Sequence, residues 1–239
     1  PTGVNSDTGE ILGTAVKADL TVTFYKAKLG LTVAKEFTGE VVVKNIGVPQ
    51  EIEKFTGPGD VKIAVKPRLP KAHKGEFGRL LVIGGSKTFS GAPALAALAA
   101  LRTGVDIVTI AAPEKTATTI ATMSPALITI KLKGKHLNTN HVEKIKKEID
   151  SASAVVLGPG LGLHTETKQA VKEIIEHVEK TDASLLLDAD GLKAFGEFKR
   201  KISCPLVLTP HGREYEILTG AKLPDSLEEK IKHVKNSAK

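Results

Sequence analysis

The sequence predicts an α/β fold: a parallel sheet covered by helices on both faces, preceded by a shorter segment of different character. Three observations carry this. After about residue 66, short apolar runs alternate with stretches of helical periodicity, the rhythm of successive β–α units. Those runs are continuously apolar rather than alternating, as expected of strands buried on both faces. The balance of 41% hydrophobic and 26% charged residues over 239 positions is ordinary for a globular chain.

The elements follow in order. Leu20–Phe24, Val41–Ile46 and Val61–Val65 read as strands with little helix between them. Gly57-Pro58-Gly59-Asp60 reads as a turn, and Lys66-Pro67-Arg68-Leu69-Pro70 as a connector whose two prolines disfavour helix and interrupt sheet pairing. The domain boundary is placed there, giving 1–66 and 67–239. A unit of about 65 residues barely supports a core of its own, so the first segment reads as the tail of another domain. Beyond it, Leu80–Gly84 is a short apolar run ending in glycine, and Ala92–Thr103 is an alanine-rich stretch that reads as a buried helix. Val105–Ala112 is a strand, and Pro113 opens the next helix at a tolerated position. Ala126–Lys131 is a strand, and Thr139–Ile149 carries apolar residues at helical spacing. Ser153–Leu157 is a strand, Thr165–Glu179 a helix, Ser184–Leu187 and Leu206–Leu208 strands, with a further helix from about Gly212.

Composition narrows the function. No apolar run reaches membrane-spanning length, and no secretory signal opens the chain. One cysteine, Cys204, cannot form an internal disulfide, which favours a cytoplasmic setting; it reads as a small apolar residue leading into the strand at Leu206–Leu208. The net charge of +7 is spread along amphipathic segments, and seven Phe, two Tyr and no Trp offer little surface for stacking bases. Nucleic acid and membrane are therefore not expected partners. His73, His136, His141, His164, His177 and His233 have no metal-site spacing and read as surface or linker residues.

Ligands of open parallel sheets bind beyond the carboxyl ends of the strands, so the residues after each strand are the candidates. They are Gly84-Gly85-Ser86, Gly158-Pro159-Gly160-Leu161-Gly162, Asp188-Ala189-Asp190-Gly191 and Thr209-Pro210-His211-Gly212-Arg213-Glu214. Four strand ends rich in glycine or polar groups predict a shared cleft. Glycines let the backbone approach a ligand and aim N–H groups at an anion. The helix starting near Ala92 would add its positive N-terminal dipole. Neither glycine loop matches a dinucleotide fingerprint or a P-loop. Asp188 and Asp190 suit a cation, a ligand hydroxyl or a helix cap. His211 suits hydrogen bonding or proton exchange near neutrality, and Glu214 either the ligand or the first turn of the next helix.

In this order the motifs resemble the dehydratase domain of the NAD(P)H-hydrate repair enzymes, a ribokinase-like fold. The carriers are His73-Lys74-Gly75 with Gly78 to Ser86, Ser90 to Gly104, Gly158 to Gly162, Asp188 to Leu192 and Leu208 to Glu214. Pro1-Thr2-Gly3-Val4-Asn5, Asp7-Thr8-Gly9, Ala18 to Phe24 and Lys28-Leu29-Gly30 resemble the end of the partner epimerase domain, Rossmann-like in fold.

The resemblance implies ADP- or ATP-dependent dehydration of (S)-NAD(P)H hydrate, coupled to epimerisation of the R and S hydrates. It also implies Mg2+ with the nucleotide, K+ at the epimerase, NADHX or NADPHX as substrate, and a homo-oligomer. Ala92, Gly162 and His211 are expected to line the hydrate site, supported by Ser86, Gly160, Asp188, Asp190 and Glu214, with Thr2 at a potassium-ligand position. By the same resemblance both catalytic aspartates are expected outside these residues, so the 239-residue chain alone is expected to bind weakly and turn over poorly. A small-molecule kinase of the same superfamily and a non-catalytic dinucleotide-binding module are the alternatives.

Overall fold

The computed structural model describes residues 2–65, 67, 68 and 70–238. Pro1 and the connector residues Lys66 and Leu69 lie outside them, as do the side chains of Gln50 and Lys54. The chain divides into two compact units, Pro1–Pro67 and Arg68–Lys239.

In the first unit, strand β1 (Leu20–Phe24) is followed by two short helices, α1 (Leu29–Val33) and α2 (Lys35–Thr38), and by strand β2 (Glu40–Lys44). The strands pair in parallel, with Leu20 opposite Glu40 and Phe24 opposite Lys44. Gly39, at φ 57°, turns the chain into β2 against the carbonyls of Ala18 and Asp19, where a Cβ would sit 2.2 Å from the latter. Only Leu31 and Ala34 are buried apolar residues among those described here, as a segment of this size implies.

The strand expected at Val61–Val65 is instead helix α3 (Pro58–Ala64). The supposed turn at Gly57–Asp60 is its start: the Asp60 carboxylate accepts the Gly57 N–H at 2.7 Å, and Pro58 occupies the first helical position. β-Branched residues prefer strands because a pleated neighbour packs against them. With no partner strand, the local start signal decides.

The second unit holds a six-stranded, wholly parallel sheet. Its elements run β3 (Arg79–Ile83), α4 (Gly91–Thr103), β4 (Ile107–Pro113), α5 (Glu114–Ala121), β5 (Ile128–Leu132), α6 (Val142–Ser151), β6 (Ala154–Leu157), α7 (Thr165–Val178), β7 (Ser184–Leu187), α8 (Asp190–Phe198), β8 (Leu206–Leu208), α9 (Gly212–Thr219) and α10 (Leu227–Ser237). The spatial order is β5-β4-β3-β6-β7-β8. The chain builds outward from β3 to β5, then returns to the other side of β3 and builds outward again. Right-handed crossovers in opposite directions put their helices on opposite faces. Two cores result. Val82 and Ile110 pack with Ala94, Ala97 and Ile120 of α4 and α5, whereas Leu81, Ile83, Val155 and Leu187 pack with Ile145, Ile174 and Phe195 of α6 to α8. Leu81 and Ile83 thus face one core and Val82 the other, as a strand's period of two requires.

Helix α4 is half-buried rather than buried: Pro93, Ala94 and Ala97 face the core, while Leu95 is 69% exposed. Ahead of the sheet, Arg68 pairs with Asp106 at 2.8 Å and lies over the Phe77 ring at 4.4 Å. Asp106 also accepts the N–H groups of Gly75 and Phe77 at 2.9 and 3.0 Å, which stitches the lead-in segment to the start of β4. These bonds hold the Asp106 carboxyl below its usual range, the one from Phe77 foremost.

Candidate functional site

The sheet reverses its direction of growth between β3 and β6, and the position beyond the carboxyl ends of such strands is where open parallel sheets bind ligands. The two glycine loops occupy that position and are tied together. Gly85 N–H donates to the Pro159 carbonyl at 2.8 Å, and a Cβ on Gly84 would lie 2.5 Å from the same oxygen. Glycine at 84 is therefore a packing requirement. Gly158, at φ 134°, is more demanding still, since a Cβ there would fall 1.8 Å from the Asp188 carbonyl oxygen. The loops after β3, β6 and β7 thus form one close-packed layer.

Ser86 is buried, and its groups serve that layer. Its carbonyl accepts the Thr116 hydroxyl at 2.7 Å, and its Oγ accepts the Phe89 N–H at 3.4 Å. Gly160, at φ 68°, packs against Phe89, whose Cβ lies 2.8 Å from where a Cβ on Gly160 would sit. Ala92 is exposed in the first turn of α4, beyond β3. No acidic residue occupies that turn, so its N–H groups and dipole are available to an anion. Thr2 lies in the first unit, where its carbonyl accepts the Val16 N–H at 3.0 Å.

After β7, Ala189 adopts φ 49° and ψ −117°, a conformation disfavoured for any residue with a Cβ. It lies between Asp188 and Asp190 and sends their side chains to different partners. Asp188 accepts the Thr209 hydroxyl at 2.8 Å, coupling the ends of β7 and β8. Asp190 was weighed as a helix cap, but Ala189 holds the N-cap position. The Asp190 Oδ2 accepts the Gly162 N–H at 2.9 Å, reaching across to the loop after β6. Its Oδ1 lies 2.9 Å from the ammonium of Lys193, one turn along α8.

After β8, His211 is the N-cap of α9. Its Nδ1 accepts the N–H groups of Arg213 at 3.2 Å and Glu214 at 3.4 Å, while Glu214 Oε2 accepts the His211 N–H at 3.1 Å. This reciprocal box satisfies N–H groups that the first turn of a helix otherwise leaves free. With Nδ1 committed to donors, the proton of the neutral imidazole belongs on Nε2. Nε2 lies 3.1 Å from Glu214 Oε1, so both ring nitrogens are engaged within the chain, while the ring itself is 63% exposed and accessible to a ligand. Glu214 is buried, its side chain 4% exposed, with the Lys193 ammonium 3.9 Å away.

The structure therefore joins Gly162, Asp190, Glu214 and His211 through one set of contacts, and Asp188 with Thr209 through another. Lys193 was not singled out from the sequence, although its spacing of three from Asp190 on a helix places the two side chains side by side. His141, read as a surface residue, is buried, with Nδ1 accepting the Asn138 N–H at 3.2 Å and Nε2 2.8 Å from the Lys133 carbonyl. Cys204 is partly buried against the larger core, and that burial pushes its thiol up.

A doubly wound parallel sheet with glycine loops at its switch point and polar strand ends on one rim defines a ribokinase-like α/β protein. A ribokinase-like superfamily protein from Enterococcus faecalis shares the fold at TM-score 0.62 and 21% identity, over 74% of this chain and 61% of that one. The chain belongs to the NAD(P)H-hydrate dehydratase family, whose sequence model matches residues 80–239. It is 46% identical to the bifunctional NAD(P)H-hydrate repair enzyme Nnr of Hyperthermus butylicus over 97% of its own length. It spans about half the length of such curated relatives, 43% and 47% in two of them. The ADP/ATP-dependent NAD(P)H-hydrate dehydratase from Bacillus subtilis, co-crystallized with ATP/Mg2+, is similar at TM-score 0.59 and 28% identity, over 81% of this chain and 64% of that one.

Proposed function

We propose that the polypeptide carrying this chain repairs hydrated nicotinamide dinucleotides. It would use ADP or ATP to activate the ring hydroxyl of (S)-NAD(P)H hydrate and then eliminate it, returning NADH or NADPH. The observation that carries this reading is the clamp of Gly162 by Asp190 and of His211 by Glu214, which holds a backbone turn and an exposed imidazole on the carboxyl rim of one sheet.

In this reading Ala92, Gly162 and His211 contact the hydrate. The first turn of α4 attracts its phosphates, Gly162 admits close approach, and the exposed His211 ring meets the substrate, its Nε2–H exchanging Glu214 Oε1 for a substrate oxygen. Ser86, Gly160, Asp188, Asp190 and Glu214 act behind them by holding the loops. Among the described residues no three carboxylate, imidazole or thiol groups converge where they could hold a metal ion. Mg2+ is assigned to the nucleotide, as a companion of its phosphates. The first unit is assigned to the epimerase, with Thr2 at its potassium site, and the whole protein to a cytoplasmic homo-oligomer.

The test is to incubate the full-length protein with NADH hydrate and ADP and follow the absorbance of the reduced nicotinamide. Return of absorbance that requires ADP or ATP and is lost in His211→Ala supports the reading. A phosphorylated alcohol accumulating without returned absorbance would transfer the site to a small-molecule kinase.

A further inference from the structure

We infer that Lys193 is a positioning residue that sets the distance between the two sides of the hydrate site. This rests on the dehydratase reading above and deepens it. Lys193 occupies the one place where the two clamps meet. Its ammonium lies 2.9 Å from Asp190 Oδ1 and 3.9 Å from Glu214 Oε1. The other oxygen of Asp190 holds the Gly162 N–H, and the other oxygen of Glu214 holds the His211 N–H. A continuous path of polar contacts therefore runs from the loop after β6, through α8, to the loop after β8, with the Lys193 ammonium at its centre.

The charges explain why the centre must be cationic. Glu214 is buried and Asp190 half-buried, with side chains 4% and 15% exposed. Two carboxylates drawn toward one point repel each other and lose hydration unless a cation lies between them. Among the described residues His211 pairs with Glu214 and carries charge only when protonated, whereas the Lys193 ammonium approaches both carboxylates. Without it, Asp190 and Glu214 relax apart, and Gly162 and His211, both assigned above to the hydrate site, separate with them. Lys193 itself is displaced from the substrate by one shell of carboxylates, so the defect appears in binding and not in the chemical step.

The experiment compares full-length wild type, Lys193→Met and Lys193→Arg. Steady-state dehydration is measured with NADPH hydrate and ADP, and hydrogen exchange is followed in peptides spanning 158–164 and 209–216. Lys193→Met is expected to raise KM about tenfold with kcat within about twofold, and to accelerate exchange in both peptides together. Lys193→Arg, which keeps the cation, is expected to restore KM to within about threefold and both exchange rates to wild type. An unchanged KM in Lys193→Met, a fall in kcat alone, or faster exchange in only one peptide overturns the inference. Absence of dehydration by the wild type overturns the dehydratase reading instead, and exchange in the two peptides then decides by itself whether Lys193 couples them.

Discussion

At the scale of single residues, His211 combines two roles that mutation can separate. As the N-cap of α9 it satisfies backbone N–H groups through Nδ1, and in the proposed reaction it presents Nε2 to the substrate. His211→Ala removes both, with a stability loss of about 1 kcal/mol from the lost cap. His211→Asn keeps an N-cap acceptor while withdrawing the imidazole, so it should unfold at nearly the wild-type denaturant midpoint yet fail to repair NADH hydrate. Equal losses of stability in both variants would tie the residue to folding alone. Gly158 is the strictest position in the loop layer. Gly158→Ala places a Cβ 1.8 Å from the Asp188 carbonyl oxygen, a clash with backbone that cannot be relieved by a rotamer. It should cost about 3 kcal/mol or more, read as a large fall in the unfolding midpoint.

Elements are governed by their ends and by what they pack against. Helix α3 shows the first influence, because its start signal overrides a β-branched run. Asp60→Ala removes the acceptor for the Gly57 N–H and should fray α3, raising amide exchange over residues 61–65 while β1 and β2 remain protected. Helix α7 and the approach to β8 show the second. Glu179, just past the end of α7, receives a bidentate ion pair from Arg200 and bonds from the Ser203 N–H and hydroxyl at 2.8 and 3.1 Å. These contacts, the Arg200 pair foremost, lower its carboxyl from 4.5 to about 2. A carboxyl depressed in the folded state stabilises the protein above its unfolded value. That contribution is therefore complete above about pH 4.5 and disappears as the pH falls toward about 2. With Arg200 partly exposed, it amounts to about 2 kcal/mol. Glu179→Gln should flatten the acid limb of the stability–pH curve by that amount.

On the scale of the whole molecule, sheet order decides where chemistry can occur. Because β3 and β6 are neighbours although two strand–helix units lie between them in sequence, the loops that follow them meet at the place where such sheets bind ligands. The outer edge beyond β8 has another character. Val207 is 53% exposed, and an apolar cavity of about 650 Å³ lies between β8, α8, α9 and α10. Its lining includes Leu208, Thr209 and Pro210, which lead directly into the His211 cap of α9.

Much of this was legible in the residues alone. Continuous apolar runs such as Leu81-Val82-Ile83 and Leu185-Leu186-Leu187 announce strands buried on both faces. The polar and glycine-rich groups following four of them mark the rim of a crevice, because local chemistry at a strand end does not depend on distant partners. Val61–Val65 was misread because β propensity is realised only where another strand packs alongside, which no local pattern reveals. His141 was misread for a related reason: its burial depends on the Lys133 carbonyl and the cap of a later helix. The linkage of Gly162 to His211 through Asp190, Lys193 and Glu214 belongs to the tertiary structure. It joins three loops far apart in sequence, and only the order of the strands brings the buried Glu214 and the half-buried Asp190 to the same cation.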